Sequence, residues 1–294
     1  MQPSLVNIGC GSTWHPAWTN LDVHPPSPQV RWWDVNQGLP FGSERVDACY
    51  ASHVLEHLTR QQARALLLES FRVLRSGGIL RLAVPDLEGI VREYLHVIAR
   101  ADKGEQAAMA QYEWITLELL DQLVRDKSGG EMEHYLRSKA LDNAEYVIAR
   151  IGPEATSYMT FGAEPCSSAP RALSHRSVAQ SMSALITRTV KTIRSTLRSA
   201  DQARMNLYRI LLGKQGEEAV REAMFRRSGE CHRWMYDRFS LRQLLEQCGF
   251  VEVRTCSAFE SRIASFASFG LDVVDGKVRK PDSLFMEAVK PETP

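Results

Sequence analysis

Residues Ser4–Ile8 (SLVNI) form a short apolar run that stops at Gly9-Cys10-Gly11-Ser12, and this junction limits the possible folds more than any other feature of the chain. A buried strand leading straight into G-x-G brings backbone close to a ligand, because glycine lacks the Cβ that would hold it off. Four more short runs follow: Thr19–Val23, Val30–Asp34, Val46–Ala51 and Ile79–Val84, the last stopped by Pro85. Ser52–Arg75 carries helical signals and closes at Ser76-Gly77-Gly78. Strands and helices alternating at this spacing predict an α/β fold built on a doubly wound, mostly parallel sheet.

After the fifth strand the pattern turns helical, to about Ala149. Leu87, Ile90, Val91, Tyr94, Leu95 and Ile98 share one period, and Trp114, Leu117, Leu120 and Leu123 repeat it. Gly152–Arg176, rich in Ser, Pro, Ala and Gly, predicts a mobile loop. Ser177–Arg198 predicts a further helix, apolar along Met182, Ile186, Val190, Ile193 and Leu197 and basic along Arg188, Lys191, Arg194 and Arg198. A basic amphipathic helix can lie on a membrane surface; a solvated face is preferred here, since no Trp or Phe anchors the apolar side. The α/β pattern returns with a helix at Ser240–Cys248, N-capped by Ser240, and strands at Phe250–Cys256 and Ser283–Ala288. The expected organisation is a core of 1–86 and 239–294 with a large helical insertion, 87–238.

Charge narrows the partners. The 294 residues carry 36 Lys and Arg against 35 Asp and Glu, net +1, which excludes nucleic-acid or membrane affinity driven by bulk charge. No apolar run approaches the ~18–20 residues of a membrane span. MQPSLVNIGCG lacks the basic and apolar regions of a signal peptide. The six cysteines form no C-x-x-C pair, so reduced thiols and a cytoplasmic location are expected.

VNIGCGS, TNLDVHP, WWDVNQGLPF, VDACYASHVLEHL and FRVLRSGGILRLAVPDL, taken in order, resemble the successive motifs of class I S-adenosylmethionine-dependent methyltransferases. The similarity is greatest to the type 11 branch, with its N-x-G-C-G, L-P-F and H-V-L-E-H patterns. It spans about residues 4–86 and, more loosely, 239–290. The resemblance implies a Rossmann-like core in which Gly9, Cys10 and Gly11, with Asn7 beside them, cradle the methionine part of S-adenosylmethionine. It implies that Asp22 and Val23 hold the ribose, that Asp34 and Val35 frame the adenine, and that Ser52 and His53 approach the sulfonium. Two features depart from the pattern. Asn7 stands where many members carry an acid. Gly11–Asn20 is too short and too rich in Trp and Pro for the usual helix, so a loop or a single turn is expected. Trp14 occupies the position of the third glycine of a nicotinamide-dinucleotide fingerprint, which argues against a dehydrogenase.

Methyl transfer requires positioning and, for an alcohol, removal of a proton. The segment Gly229–Arg238 (GECHRWMYDR) is dense in suitable groups. His232 is the leading general base and His53 the second. Trp234 or Tyr236 could stack on a sugar, and Arg233 or Arg238 could hold an anionic part; equally, Glu230 and Asp237 could pair with these arginines and pin the segment. Tyr112, Glu131 and His134 are further acceptor-binding candidates, Glu131 and His134 sharing a helix face at i, i+3. Glu131, His134, Glu230 and His232 make a weak ligand set, two pairs about a hundred residues apart, so no metal is expected. Glu56 reads as an orienting or solvent residue and His57 as a structural histidine. The expected activity is O-methylation of a small molecule, a sugar, glycan intermediate or secondary metabolite, leaving S-adenosylhomocysteine. N-methylation of an amine or peptide and an idle cofactor-binding scaffold are the alternatives.

Overall fold

The five N-terminal apolar runs pair side by side in a computed structural model that describes residues 4–138, 142–159 and 178–292, the side chains of 178–201 excepted. Strands β1 (Leu5–Ile8), β2 (Thr19–Asp22), β3 (Val30–Trp32), β4 (Val46–Ser52) and β5 (Leu74–Pro85) are mutually parallel. Strand β6 (Val251–Cys256), a small hairpin of β7 (Val273–Val274) and β8 (Lys277–Val278), and β9 (Ser283–Val289) complete the set. The main sheet has seven strands in the order β3-β2-β1-β4-β5-β9-β6, with β9 antiparallel to both neighbours.

The helices are α1 (Arg60–Val73), α2 (Leu87–Ala101), α3 (Gln106–Val124), α4 (Gly130–Leu136), α5 (Ala144–Ile151), α6 (Ala155–Met159), α7 (Val178–Arg226) and α8 (Arg238–Gln247). Two differ from expectation at their starts. Residues 52–59 are not α-helical: a 3-10 turn, Leu55–His57, comes first, and Thr59 with Gln62 closes a capping box that begins α1. Helix α8 is capped by Asp237, whose carboxylate accepts from the N–H groups of Phe239 and Ser240, so Ser240 is its third residue. The buried stripe of α3 also differs. It runs through Trp114, Ile115, Glu118 and Asp121, while Leu120 is half exposed.

Alternation along the strands separates two faces. Val6, Ile8, Cys49 and Ala51 pack against α1 and α8 in the main core. Leu5, Ala48 and Tyr50 face the other way, against Trp18, Ile263, Phe266 and Leu271. No helix connects β1 to β2 or β2 to β3, so a loop, residues 257–282, covers this face. Arg81 fastens it. Its guanidinium is fully buried and reaches Asp272 at 2.8 Å, Glu287 at 2.9 Å and the carbonyls of Glu260 and Ser257 at 2.8 and 3.1 Å. Asp272 also accepts from the Tyr50 hydroxyl at 2.5 Å.

The chain forms two compact units, Met1–Gly162 with Gly229–Pro294, and Ala163–Ser228. Helices α2 to α6 therefore belong to the unit that holds the sheet. The second unit contains α7, whose path breaks at Gly213 (φ +73°). Most of the expected loop at 152–176 lies outside the described residues, as do the apolar and basic faces expected over 177–198. No helix among the described residues is long and apolar enough to cross a membrane.

Candidate active site

Strands β1, β2 and β4 end at the same level, with Ile8 paired to Leu21 on one side and Ala51 on the other. Strand order reverses between β1 and β4, the place where open α/β sheets bind ligands. Gly9 turns the chain there with φ +62°, and a Cβ on it would lie 2.5 Å from Val54 Cγ2. Gly11 (φ +51°) faces open space. Asn7 is buried, and its amide donates to the Thr13 carbonyl at 3.0 Å and to Asn20 Oδ1 at 3.1 Å. An acid could not make either bond, which accounts for asparagine at this position: it braces the loop. Asp22 braces it from the other side, accepting from Gly11 N–H and His24 N–H, both at 2.7 Å. Asp34 caps the turn Val35–Gln37 through Asn36 N–H at 2.9 Å. Burial, assisted by the Asp22 charge, pushes the Cys10 thiol up to about 12, so Cys10 is a packing group and not a nucleophile.

Two cavities open here. The first, about 240 Å³, is lined by Asn7, Gly9, Cys10, Gly11, Ser52 and His53, with Thr13 and Tyr50. Asp22 and Val23 lie beyond this lining, and Val35 borders a separate depression of about 470 Å³ with Gly38, Gln62 and Glu69. The second cavity, about 260 Å³, runs on toward α3, α4 and α6, past Glu118, Gln122, Arg125, Met132, Tyr158, His232 and Met235. His53, His57, Glu154 and Lys280 line both. Arg279 ties the two walls, reaching Thr13 Oγ1 at 2.9 Å and Glu154 at 3.0 Å.

At the junction three imidazoles surround one carboxylate. His53 follows β4 with φ +54°, a left-handed conformation that costs a non-glycine residue roughly 1 kcal/mol. Its N–H donates to the Ala83 carbonyl at 2.8 Å, and Nε2 lies 2.8 Å from Ser283 Oγ. Its Nδ1 is 3.1 Å from Glu56 Oε1. Glu56 is fully buried. Burial alone would raise its carboxyl; His53 first, then His57 and His232, bring it down to about 2. Burial outweighs the attraction of Glu56 for the other two rings, lowering His57 and taking His232 down to about 3. Those two rings stand edge to face, 4.9 Å between centroids. The strap that delivers His232 is fixed by its backbone. His232 N–H donates to Gln122 O at 2.8 Å, and Arg233 and Trp234 N–H donate to Glu56 O at 2.6 and 3.2 Å. Because residues 52–59 are not one helix, His53 and His57 do not share a helix face; a loop and a 3-10 turn wrap them around Glu56.

His53 and His232, the two expected bases, thus both line the second cavity. None of Tyr112, Glu131, His134, Glu230, Arg233, Trp234 and Tyr236 does. Tyr112 packs on Tyr94, 5.8 Å between centroids. Glu131 is exposed and pairs with Lys127, and His134 is exposed beside it. Glu230 accepts from Gly129 N–H and Arg125 behind the cavity wall. Arg233 is exposed, Trp234 lies under the Arg60 guanidinium, and Tyr236 is in the main core. The i, i+3 spacing identifies a shared face without saying which way it looks. Asp121 accepts from Glu131 N–H at the start of α4, and Met132, Glu133 and Leu136 of that helix line the cavity instead. The residues that sequence reasoning missed are Glu118, Gln122, Arg125, Glu154 and Lys280. A signal existed for the first: an acid one turn beyond Trp114, on the same face of α3.

Residues 16–82 match the family model for a methyltransferase domain, type 11. No curated protein matches the chain. Among solved structures it is similar to a complex of the Haloferax volcanii Trm112 methyltransferase activator with a methyltransferase. That similarity has 12% identity, 99% of this chain and 84% of that one, and a TM-score of 0.37. It is also similar to an S-adenosylmethionine-dependent methyltransferase from Thermotoga maritima, at 12% identity over 99% of this chain and 83% of that one, TM-score 0.36. The match begins just before β2, beyond the G-x-G turn, and takes in β3, the β4 end, the H-V-L-E-H segment, α1 and most of β5; over these residues the chain carries a class I S-adenosylmethionine-dependent methyltransferase domain of the type 11 branch.

Proposed function

We propose that the chain methylates a hydroxyl of a small polar acceptor, of the sugar, glycan-intermediate or secondary-metabolite kind, with His53 as general base. The observation that carries this reading is the continuity of the two cavities through His53: a donor in one and an acceptor in the other would meet at that ring. The first cavity fits the donor's methionine end. Its glycine loop leaves open space at Gly11, Ser52 and His53 close its far side, and Lys280 offers a cation for a carboxylate. S-adenosylmethionine supplies a methyl group already activated by a sulfonium charge. The protein's part is to aim the acceptor oxygen at that carbon and to take its proton. Glu56 beside Nδ1 favours the tautomer with its hydrogen there. Nε2 then offers a lone pair and takes the proton directly or through the Ser283 hydroxyl. His232 is the weaker base, because burial disfavours its charged form. Helices α2 to α6 and the strap at 230–238 serve as the acceptor side of the site.

Calorimetry with S-adenosylhomocysteine tests the donor half; no binding tighter than about 1 mM would sink it. On a panel of polyhydroxylated acceptors, His53→Ala should lower kcat by about 10²–10⁴-fold. A loss of less than about fivefold would favour the amine acceptor, whose proton can leave to solvent.

A further inference from the structure

We propose that Glu56, His57 and His232 bind one divalent transition-metal cation where the two cavities meet. The ligand atoms of the three side chains all lie within 4.8 Å of one another. The Glu56 side chain has no exposure, its Oε1 is met only by His53 Nδ1 at 3.1 Å, and its Oε2 has no hydrogen-bond partner among the described residues. An ionised carboxylate in that position needs a cation, since burying one without compensation is costly. His57 shows where the cation belongs. Its Nδ1 lies 3.3 Å from the Cys231 carbonyl, which only accepts, so Nδ1 carries the hydrogen. Nε2 therefore presents a lone pair toward Glu56 Oε1, 3.9 Å away. Two lone pairs facing each other across that distance repel unless something positive stands between them. A metal-ligating histidine commonly donates its other N–H to a carbonyl in this way. His232 brings the third donor, and the strap's hydrogen bonds to Glu56 O and Gln122 O hold it in place.

Two imidazoles and one carboxylate suit zinc, iron(II), cobalt(II) or manganese(II) better than calcium or magnesium, which prefer all-oxygen sets. Bonds of about 2.0–2.2 Å put donor atoms roughly 3.3 Å apart, so the set closes by up to about 1.5 Å on binding. His57 and His232 line the larger cavity, which leaves the remaining coordination positions facing an acceptor. A metal there would hold the acceptor oxygen and make its proton easier to remove; that role, unlike the binding itself, rests on the proposed O-methylation.

The test uses tag-free full-length protein, freed of metal with a chelator and titrated with Zn²⁺ by calorimetry and with Co²⁺ by visible absorption. The expected result is one equivalent bound at about 10 μM or tighter, with a cobalt d–d spectrum. His232→Ala and Glu56→Gln should each weaken Zn²⁺ by at least about a hundredfold. If Glu56→Gln does not fold, His57→Ala takes its place beside His232→Ala at the cavity wall. Absence of a saturable site, or Zn²⁺ affinity unchanged in these variants, overturns the proposal and leaves the cluster's charge balanced by a protonated imidazole. S-adenosylhomocysteine titrated into the same preparations separates the two readings. Binding of the nucleoside without zinc defeats the metal site alone, and zinc without the nucleoside defeats the donor site alone.

Discussion

Replacing Gly9 with alanine would place a Cβ 2.5 Å from Val54 Cγ2 on a backbone already at φ +62°. The left-handed conformation alone costs about 1–2 kcal/mol, so a 294-residue chain should melt several degrees lower. Gly9→Ala with Val54→Ala should recover the steric part of that loss and keep the conformational part. Thermal unfolding of the single and double variants measures both. Asp22→Ala removes two acceptors for loop N–H groups together with the expected ribose contact. Losing a charge-assisted bond of roughly 1.5–3 kcal/mol should weaken S-adenosylhomocysteine about tenfold to a hundredfold by calorimetry. Unchanged affinity would place the ribose elsewhere. At this scale one cavity was legible: Asn7, Gly9, Cys10, Gly11, Ser52 and His53 were all named from the sequence, and, unlike Asp22, Val23, Asp34 and Val35, they line it. They are consecutive with strand ends, so chain order alone brings them together. The second cavity was not legible. Its residues come from α3, α4, α6 and the loop before β9, and their convergence depends on how helices pack.

Helix α8 shows where local chemistry misleads by a few residues. Ser240 has a capping side chain, but Asp237 stands three residues earlier and takes the cap, with Ser240 answering as the reciprocal partner. Asp237→Ala should therefore cost about 1 kcal/mol and Ser240→Ala less; the ordering of the two melting temperatures checks this. In α3 the apolar periodicity pointed to Leu117, Leu120 and Leu123. The buried side instead includes Glu118, paired with Arg150 and accepting from Trp114 Nε1 at 3.0 Å, and Asp121, paired with Arg125. Paired acids can occupy an inward stripe that a hydrophobicity count assigns to solvent. The seven strands of the main sheet were read within one or two residues except β5, which starts five residues earlier than its apolar run because Leu74 pairs with Val46; the short hairpin of β7 and β8 was not read.

Across the whole molecule, Arg81 joins the sheet to the loop that replaces the missing helices. Removing it leaves the buried Asp272 without its counter-ion and Glu287 with Arg254 alone, so Arg81→Met should destabilise by about 3–5 kcal/mol in urea unfolding. Arg81→Met combined with Asp272→Asn and Glu287→Gln should recover part of that loss. The sheet order carries a further consequence, for synthesis. Strand β9 follows every other strand in the chain yet stands between β5 and β6. A ribosome adding about 5–20 residues per second leaves β5 with one side unpaired while roughly 200 residues emerge between Pro85 and Ser283, an interval on the order of ten to forty seconds. Through that interval Ile79–Val84 is an apolar edge open to the same strand of a neighbouring nascent chain. Arg81, whose carboxylate partners are not yet made, is then a solvated charge in the middle of that edge, and Pro85 ends it without an N–H to offer. The arginine that later fastens the finished protein is placed to keep its unfinished copies apart.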